Sequence, residues 1–369
     1  MDNQEIMEND RLTFINPDPD TQSSELETDE LKGLSYYNRE LSKNLPQEVF
    51  RMTPERLGWA ITYLGCNAFI MMVIMNWPIA WYSKIILGVI MGIFNGGMAF
   101  LAHEVLHGSI IKNQKMQDAF GFLGFLPFLV SPTYWRFWHN RLHHGNTQLL
   151  IRDPDAFPTQ MVYKRSKFMQ VMFPFTPGSG HKRSYSYFFF WFSFQAFLNQ
   201  IYMRFGNKMW EKMDHKKVTM EFAAQCFLAL CYVLFVGPEN WFYLVVIPFM
   251  AQNYTVMSHI STNHNLNPLT KINDPLVNSL TVTNHPVMEF VNLNFGYHVE
   301  HHIFPRMSGK YTKVVHEQLK KQFPEKYLYM PKWKALRLLY STPRIYKNKD
   351  ELMNPETGAT FKTIDSKSI

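Results

Sequence analysis

Eight histidines of the chain fall into three tight clusters. His103 and His107 stand four apart in HEVLH, His139, His143 and His144 lie in HNRLHH, and His298, His301 and His302 lie in HVEHH. Residues three or four apart on a helix share a face, with Cβ atoms about 5–6 Å apart. Each cluster can therefore aim at least two imidazoles in one direction. A lone HxxxH is weak evidence for a metal, and a lone buried histidine is more often a satisfied core residue. Three clusters holding eight of the fourteen histidines point instead to a metal site. A structural zinc closes with four ligands and a catalytic one uses three, so eight imidazoles imply two ions. Nitrogen donors without thiolate suit zinc, copper, iron or nickel. The three cysteines, Cys66, Cys226 and Cys231, sit in apolar runs and offer neither a disulfide framework nor a thiolate site.

The elements that must position these clusters are apolar. Hydrophobic residues make up 46% of the 369, aromatics 16% and charged residues only 18%, which excludes a disordered chain or a coiled coil. Crossing a bilayer core takes about 20 helical residues, with a range of about 17–25. Four stretches are long and bare enough, at about 57–77, 85–102, 218–236 and 241–258. Short links at Asn76–Tyr82 and Gly237–Asn240, each containing a proline, join them into two hairpins. Of 37 Lys and Arg, only Lys84 lies between Leu57 and His103, and none lies between Val218 and His259. The positive-inside bias then places all three clusters and both termini on the cytoplasmic side of a multi-pass membrane protein.

Two further apolar segments fit this topology without crossing. Ser184–Met203 has no charge, yet crossing there would put the last cluster on the opposite face from the first two. It is expected to lie along the interface. Phe120–Val130 is too short to cross and is expected to dip or lie flat. Residues 1–35 carry ten acidic residues against Arg11 and Lys32 and read as a disordered acidic tail, without the basic and apolar start of a cleavable signal. The expected fold class is all-α and integral to the membrane: four transmembrane helices in two hairpins, interfacial helices and a cytoplasmic cap. The membrane domain is expected over 36–345, with a C-terminal tail at 346–369. The net charge of +7 suits a membrane surface, and nothing in the pattern calls for nucleic acid.

HEVLHG, HNRLHHG and HVEHHIFP are similar to the three histidine boxes of the membrane fatty acid desaturase family. Their placement matches too: the first box ends the first hairpin, the second lies some thirty residues on, and the third follows the second hairpin. The likeness covers roughly Gly58–Lys320. It implies that His103, His107, His139, His143, His144, His298, His301 and His302 bind two ferrous ions, which use O2 to remove two hydrogens from an acyl chain. A further ligand follows the fourth span in this family. His259 in MSHIS takes that place, and His264 in TNHNLNP is the alternative. The second box is HxxxHH rather than the commoner HxxHH. The first is HxxxH, unlike the HxxxxH of many acyl-CoA Δ9 enzymes, so that regiochemistry does not transfer.

The resemblance also implies a fatty acyl lipid or acyl thioester as substrate, and electrons from an external carrier. No flavin, haem or iron–sulfur motif is present, and a basic cytoplasmic surface suits an acidic donor such as ferredoxin or cytochrome b5. Glu104, Glu300, Asp153 and Asp155 are candidates to accept the second ring N–H of ligand histidines. Asn140, Asn146 and Asn263 are weaker ones, and Trp135 and Trp138 read as interface anchors. His181, His215, His285 and His316 read as structural or exposed. Two alternatives stay open. A lipid hydroxylase or a carotenoid ketolase or hydroxylase would use the same site. A zinc hydrolase or a metal transporter is the other, although a transporter should bury charge mid-span, where these spans are nearly bare.

Overall fold

The computed structural model describes residues 31–150 and 152–365. The acidic segment expected as a disordered tail lies outside the described residues up to residue 30. From Leu34 the chain is helical: α1 (Leu34–Ser42) buries Tyr37 and Leu41, and the Tyr37 hydroxyl donates to Asp274.

Among the described residues, three helices are long and apolar enough to cross a membrane: Pro54–Asn76, Trp81–His107 and His215–Val236. The first is largely α2 (Gly58–Asn76), and the second is α3 (Trp81–His107), ended by Gly108 in the left-handed region at φ +80°. The fourth expected span is helical as well. It starts as a π-turn over Phe242–Val246 and continues as α8 (Ile247–His264), which buries Gln252, Asn253, Thr255 and Ser258 among others. It is thus a polar-cored central helix rather than a bare apolar one.

Small residues set the packing of α3 on α8. Gly88, Gly92 and Gly96 lie four apart along one face of α3. A Cβ built at Gly92 would sit 2.5 Å from the Ala251 Cβ and 2.6 Å from the Pro248 carbonyl oxygen. Such close approach is the usual device where lipid gives helices no hydrophobic reason to associate. It carries the C-terminal ends of α3 and α8, with their histidines, to the same level.

Between α4 (Gln114–Gly124) and the second cluster the chain makes a re-entrant turn, Phe125–Ser131, with Leu129 at φ +56°. Irregular backbone needs donors, because lipid supplies none. Three buried glutamines provide them. Gln200 donates to Leu129 O (2.9 Å) and accepts from Ser131 N (3.0 Å), Gln252 donates to Pro127 O (2.6 Å), and Gln225 donates to Phe122 O and Val130 O (3.1 and 3.0 Å). These amides hold the segment expected to dip or lie flat. Residues 132–146 then form α5, wound as a π-helix over Arg136–His143. The helix α6 (Tyr187–Leu198) packs on α8 through Phe188, Phe192 and Ser193, and α7 (His215–Val236) follows.

Two findings depart from an all-α fold with a C-terminal tail. Strand β1 (Thr281–Thr283) pairs in parallel with β2 (Tyr329–Pro331). Strands β3 (Ile345–Tyr346), β4 (Glu351–Met353) and β5 (Thr360–Lys362) form an antiparallel sheet, burying Leu269 with Tyr346 and Leu352. Residues 346–365 are therefore folded onto the cap rather than trailing from it. With two or three residues each, these strands are too short to show the period-two alternation that betrays a strand. The third cluster rides on α9 (His298–Ile303), buttressed by α10 (Thr312–Gln322), while α11 (Lys332–Ser341) packs on α8 and the β1–β2 pair.

Candidate metal centre

The side chains of the three clusters meet in two groups of nitrogens. His103, His107, His139, His144 and His301 form one, and His143, His264, His298 and His302 the other. Within each, one ring nitrogen per residue lies within 4.8 Å of all the rest. Helix geometry divides them. On α3 the i, i+4 pair His103 and His107 stays together, and on α9 His298 and His302 do the same, leaving His301 to turn to the first group. On α5 an α-helix would pair His139 with His143. The π-winding instead pairs His139 with His144, five residues on, and frees His143 for the second group. Single π-turns of this kind are frequent at functional sites.

The nitrogens face one another at close range. Nε2–Nε2 distances are 2.9 Å for His103–His139, 3.1 Å for His139–His144, 3.1 Å for His144–His301, 2.8 Å for His264–His298 and 3.1 Å for His298–His302. A neutral imidazole has one N–H and one lone pair. Outer partners hold the other ring nitrogen of three of them: His143 Nδ1 with Asp153 (3.0 Å), His264 Nδ1 with the Asn278 carbonyl (3.2 Å), and His302 Nδ1 with Thr147 Oγ1 (3.2 Å). Donation at Nδ1 leaves the Nε2 lone pair directed inward, the arrangement of a metal ligand. His107 Nε2 is buried without a partner, which a metal ion would supply. The donor set fits two ions and is compatible with iron.

Burial keeps these rings neutral. It pushes His264 and His301 down to about 3, and His139, His144, His298 and His302 well below their ordinary value. His143 is the exception. Burial alone would lower it, but Asp153 and Asp155 raise it above the usual imidazole range. Asp155 is itself pushed up to about 7, first by burial and then by Asp153.

His259 stands apart from both groups. Its Nδ1 meets the Thr255 carbonyl (2.8 Å), and its ring faces the Lys332 amine (2.8 Å) and the Asn284 amide (3.3 Å). Burial holds the Lys332 amine well below its ordinary value. The histidine brought into the second group is His264, five residues further on and on another face of α8. Its signal lay in the local sequence: Asn265–Pro268 ends the helix directly after His264, so that residue sits at the cap and not a turn inside it.

Of the expected orienting carboxylates, Asp153 contacts a clustered histidine at hydrogen-bond distance, and Asp155 lies 3.4 Å from His143 while accepting from Trp138 Nε1 (3.0 Å). Glu104 turns away to Arg56 (2.5 Å) and the Gly309 amide. Glu300 accepts from Thr281 (2.6 Å) and Tyr327 and faces His316 (3.1 Å), so it fixes α9 against α10 and β1. His316 is thus structural and buried, while His181 makes an exposed pair with Glu356. Asn140 and Asn146 cap carbonyls of Leu106 and Leu142. Asn263 is fully buried, with no partner at either amide atom. Trp135 and Trp138, expected as interface anchors, are buried instead. Trp135 stacks on His139 at 4.5 Å and stands edge-on to His103 and His107.

A small cavity of about 40 Å³ opens beneath the nitrogens, bounded by Phe100, Phe125, Trp135, Phe192 and Phe295 on the apolar side and by His103, His139, His143, His264 and His298 on the other. Apolar walls on one side and converging ring nitrogens on the other make a site suited to metal-dependent chemistry on a hydrocarbon.

Comparison with known proteins agrees with that definition. The fatty acid desaturase family model matches residues 75–334, and the chain belongs to that family. It is similar to the chloroplastic omega-6 fatty acid desaturases of Spinacia oleracea (22% identical, covering 84% of this chain and 69% of the relative) and Brassica napus (21%, covering 85% and 71%). Over a shorter stretch, 20% of this chain and 18% of the relative, it is 33% identical to the omega-3 fatty acid desaturase fat-1 of Caenorhabditis elegans. The protein is an oxidoreductase of the fatty acid desaturase type, with apolar helices suited to a membrane.

Proposed function

We propose that this protein introduces a double bond into a fatty acyl chain, using O2 and electrons from an external carrier, at a centre of two iron ions. His103, His107, His139, His144 and His301 would hold one ion, and His143, His264, His298 and His302 the other. The observation that carries the reading is the convergence of nine imidazoles on two points above an apolar cavity. Iron bound there would activate O2, the oxidant that an unactivated methylene requires.

The chain's own residues do the rest. Asp153, Thr147 and the Asn278 carbonyl hold Nδ1 of three ligands, so that their Nε2 lone pairs stay fixed. Trp135 and the Phe100–Phe295 stack (4.0 Å) exclude water and define where a C–H bond can approach, and positioning of that kind selects the carbon attacked. The basic cap would face the cytoplasm and receive an acidic carrier, ferredoxin or cytochrome b5, with O2 reaching the site from the membrane.

The test is expression in a host of simple lipid composition with a carrier supply, beside His301→Ala. Total fatty acids are read by gas chromatography–mass spectrometry after double-bond derivatisation, and metal content on the purified protein. An acid lacking two hydrogens, absent from the variant, with iron present, is the expected result. A product that has gained an oxygen instead, or zinc in place of iron with no new acid, overturns the proposal.

A further inference from the structure

The cavity beneath the histidines, about 40 Å³, is too small for an acyl chain, yet a much larger one lies next to it. A groove of about 590 Å³ runs between α6, α7 and α8, with α3 and the re-entrant turn as its floor. That is well within the range of about 300–1,000 Å³ typical of small-molecule sites. Its lining is apolar apart from Asn95, Ser193, Gln252 and Tyr232. Asn95 and Gln252 are bonded to each other (2.8 Å), and the Tyr232 hydroxyl donates to Leu244 O (3.0 Å). The Ser193 hydroxyl is buried without a partner.

The groove exists because α7 stands off from its hairpin partner. Of its 22 residues only Val218, Gln225 and Val236 are buried. It is tied down near one end by Glu221, which accepts from Ser131 (2.5 Å) and Thr133 (2.9 Å), and near the other by Tyr232. Between these ties the helices part. The rim is exposed and wholly apolar, at Phe197, Leu228 and Phe249, and both α3 and α7 have the length and composition of membrane helices. No charged side chain lines the opening, so what meets it is hydrocarbon rather than a water-borne head group.

Aromatic side chains stand between the groove and the histidines. Phe192 lines the small cavity and Phe128 the groove, and the two rings meet edge to face at 5.3 Å. Phe125 lines the cavity while its neighbour Leu126 lines the groove.

We propose that the groove is a lateral binding site for an acyl chain of a bilayer lipid, entering sideways between α6 and α7, with the Phe128–Phe192 pair as the partition between this site and the histidines. The assignment rests on the acyl-chain reading above and deepens it by naming where the chain comes from.

The test uses the full-length, metal-loaded protein in nanodiscs of phosphatidylcholine, doped with phosphatidylcholine carrying a mid-chain diazirine. After irradiation, adducts are mapped by mass spectrometry. They are expected to concentrate on Phe194, Phe197, Leu228 and Phe249. Ala229→Trp, which fills the groove, should reduce them by on the order of tenfold, the discrimination an apolar pocket shows for small changes in shape. Leu230→Trp, on the exposed side of α7, should leave them unchanged. Adducts spread evenly over lipid-facing positions, or unaffected by Ala229→Trp, overturn the proposal. So does labelling of the groove by a diazirine sterol or acyl thioester but not by the phospholipid. If the variant does not express, the distribution on the unaltered protein decides alone. Labelling needs no turnover, so the two readings separate. A labelled groove with no unsaturated product sinks the desaturase mechanism, and product with an unlabelled groove sinks this site.

Discussion

Exchanging His264 and His259 for alanine, one at a time, separates two roles that five residues of sequence leave entangled. His264 Nε2 lies 2.8 Å from His298 Nε2, and its ring is 4.7 Å from that of His143 and 4.8 Å from that of His302. His264→Ala removes one of four donors from the second group and leaves the five of the first untouched. Loss of an outer-shell partner typically costs about 10–100-fold in metal affinity, and loss of a ligand should cost no less. The expected result is a fall from two metal ions per chain towards one, with activity lost. His259→Ala removes contacts to the Thr255 carbonyl, Asn284 and Lys332 instead. Leaving a buried polar group unsatisfied costs about 1–3 kcal/mol, so this variant should melt earlier while keeping both ions. Metal content by plasma mass spectrometry and thermal unfolding in detergent read the two effects separately. A His259→Ala protein that loses an ion while His264→Ala keeps both would refute the division of histidines argued here.

Asp153→Ala should weaken metal retention by about 10–100-fold, measured by competition with a chelator, because His143 loses the carboxylate 3.0 Å from its Nδ1; Asp153→Asn should restore part of it. Gly92→Leu should destabilise the protein by at least about 1–3 kcal/mol, read by thermal unfolding, since even a Cβ there meets the Pro248 carbonyl at 2.6 Å. Tyr346→Phe removes a hydroxyl that donates to Asn267 O (2.6 Å) and accepts from Gln148 (3.1 Å). It should cost about 0.5–1.5 kcal/mol and loosen the second ion more than the first, because Gln148 also donates to His264 O (2.6 Å). Gln225→Leu makes α7 more apolar yet should destabilise it by about 1–3 kcal/mol, as the Phe122 carbonyl of α4 and the Val130 carbonyl of the re-entrant turn lose their donor; unchanged unfolding would refute the role given to that amide.

The eight histidines of the three clusters were legible because their spacing is short and their chemistry specific. All eight converge, the first cluster from the end of the apolar helix α3 and the other two from α5 and α9. What spacing could not give is the partition between the two groups. HNRLHH read as an α-helix pairs His139 with His143, and only the π-winding pairs His139 with His144 instead. A choice between two helical windings depends on tertiary packing, here of Trp135 and Trp138 among buried aromatics. In the sequence His264 ranks second to His259 because His259 stands at the end of the apolar run, level with the other boxes. α8 runs on past it, since the buried polar residues Ser258, Ser261, Thr262 and Asn263 face protein rather than water or lipid. The cap strands were invisible for the same reason that they are short: their register comes from the elements they meet, not from their own pattern.

Polar residues in apolar segments are costly and by default mark a pathway. Here they have another use. Gln200, Gln225 and Gln252 each carry an amide to backbone carbonyls of one re-entrant turn, and Asn67, Asn95 and Gln252 form a chain from α2 through α3 to α8. None of these side chains is ionisable, so none can relay a proton or carry an ion's charge. Their common product is a tight turn held among the apolar helices, with Phe125 facing the histidines and Leu126, Pro127 and Phe128 facing the groove. A metal centre fixed by the cap needs a hydrocarbon fixed beneath it. The amides hold the wall against which that hydrocarbon would be measured, and they do so from three different helices, so a shift of any one of them would move the wall relative to the nitrogens.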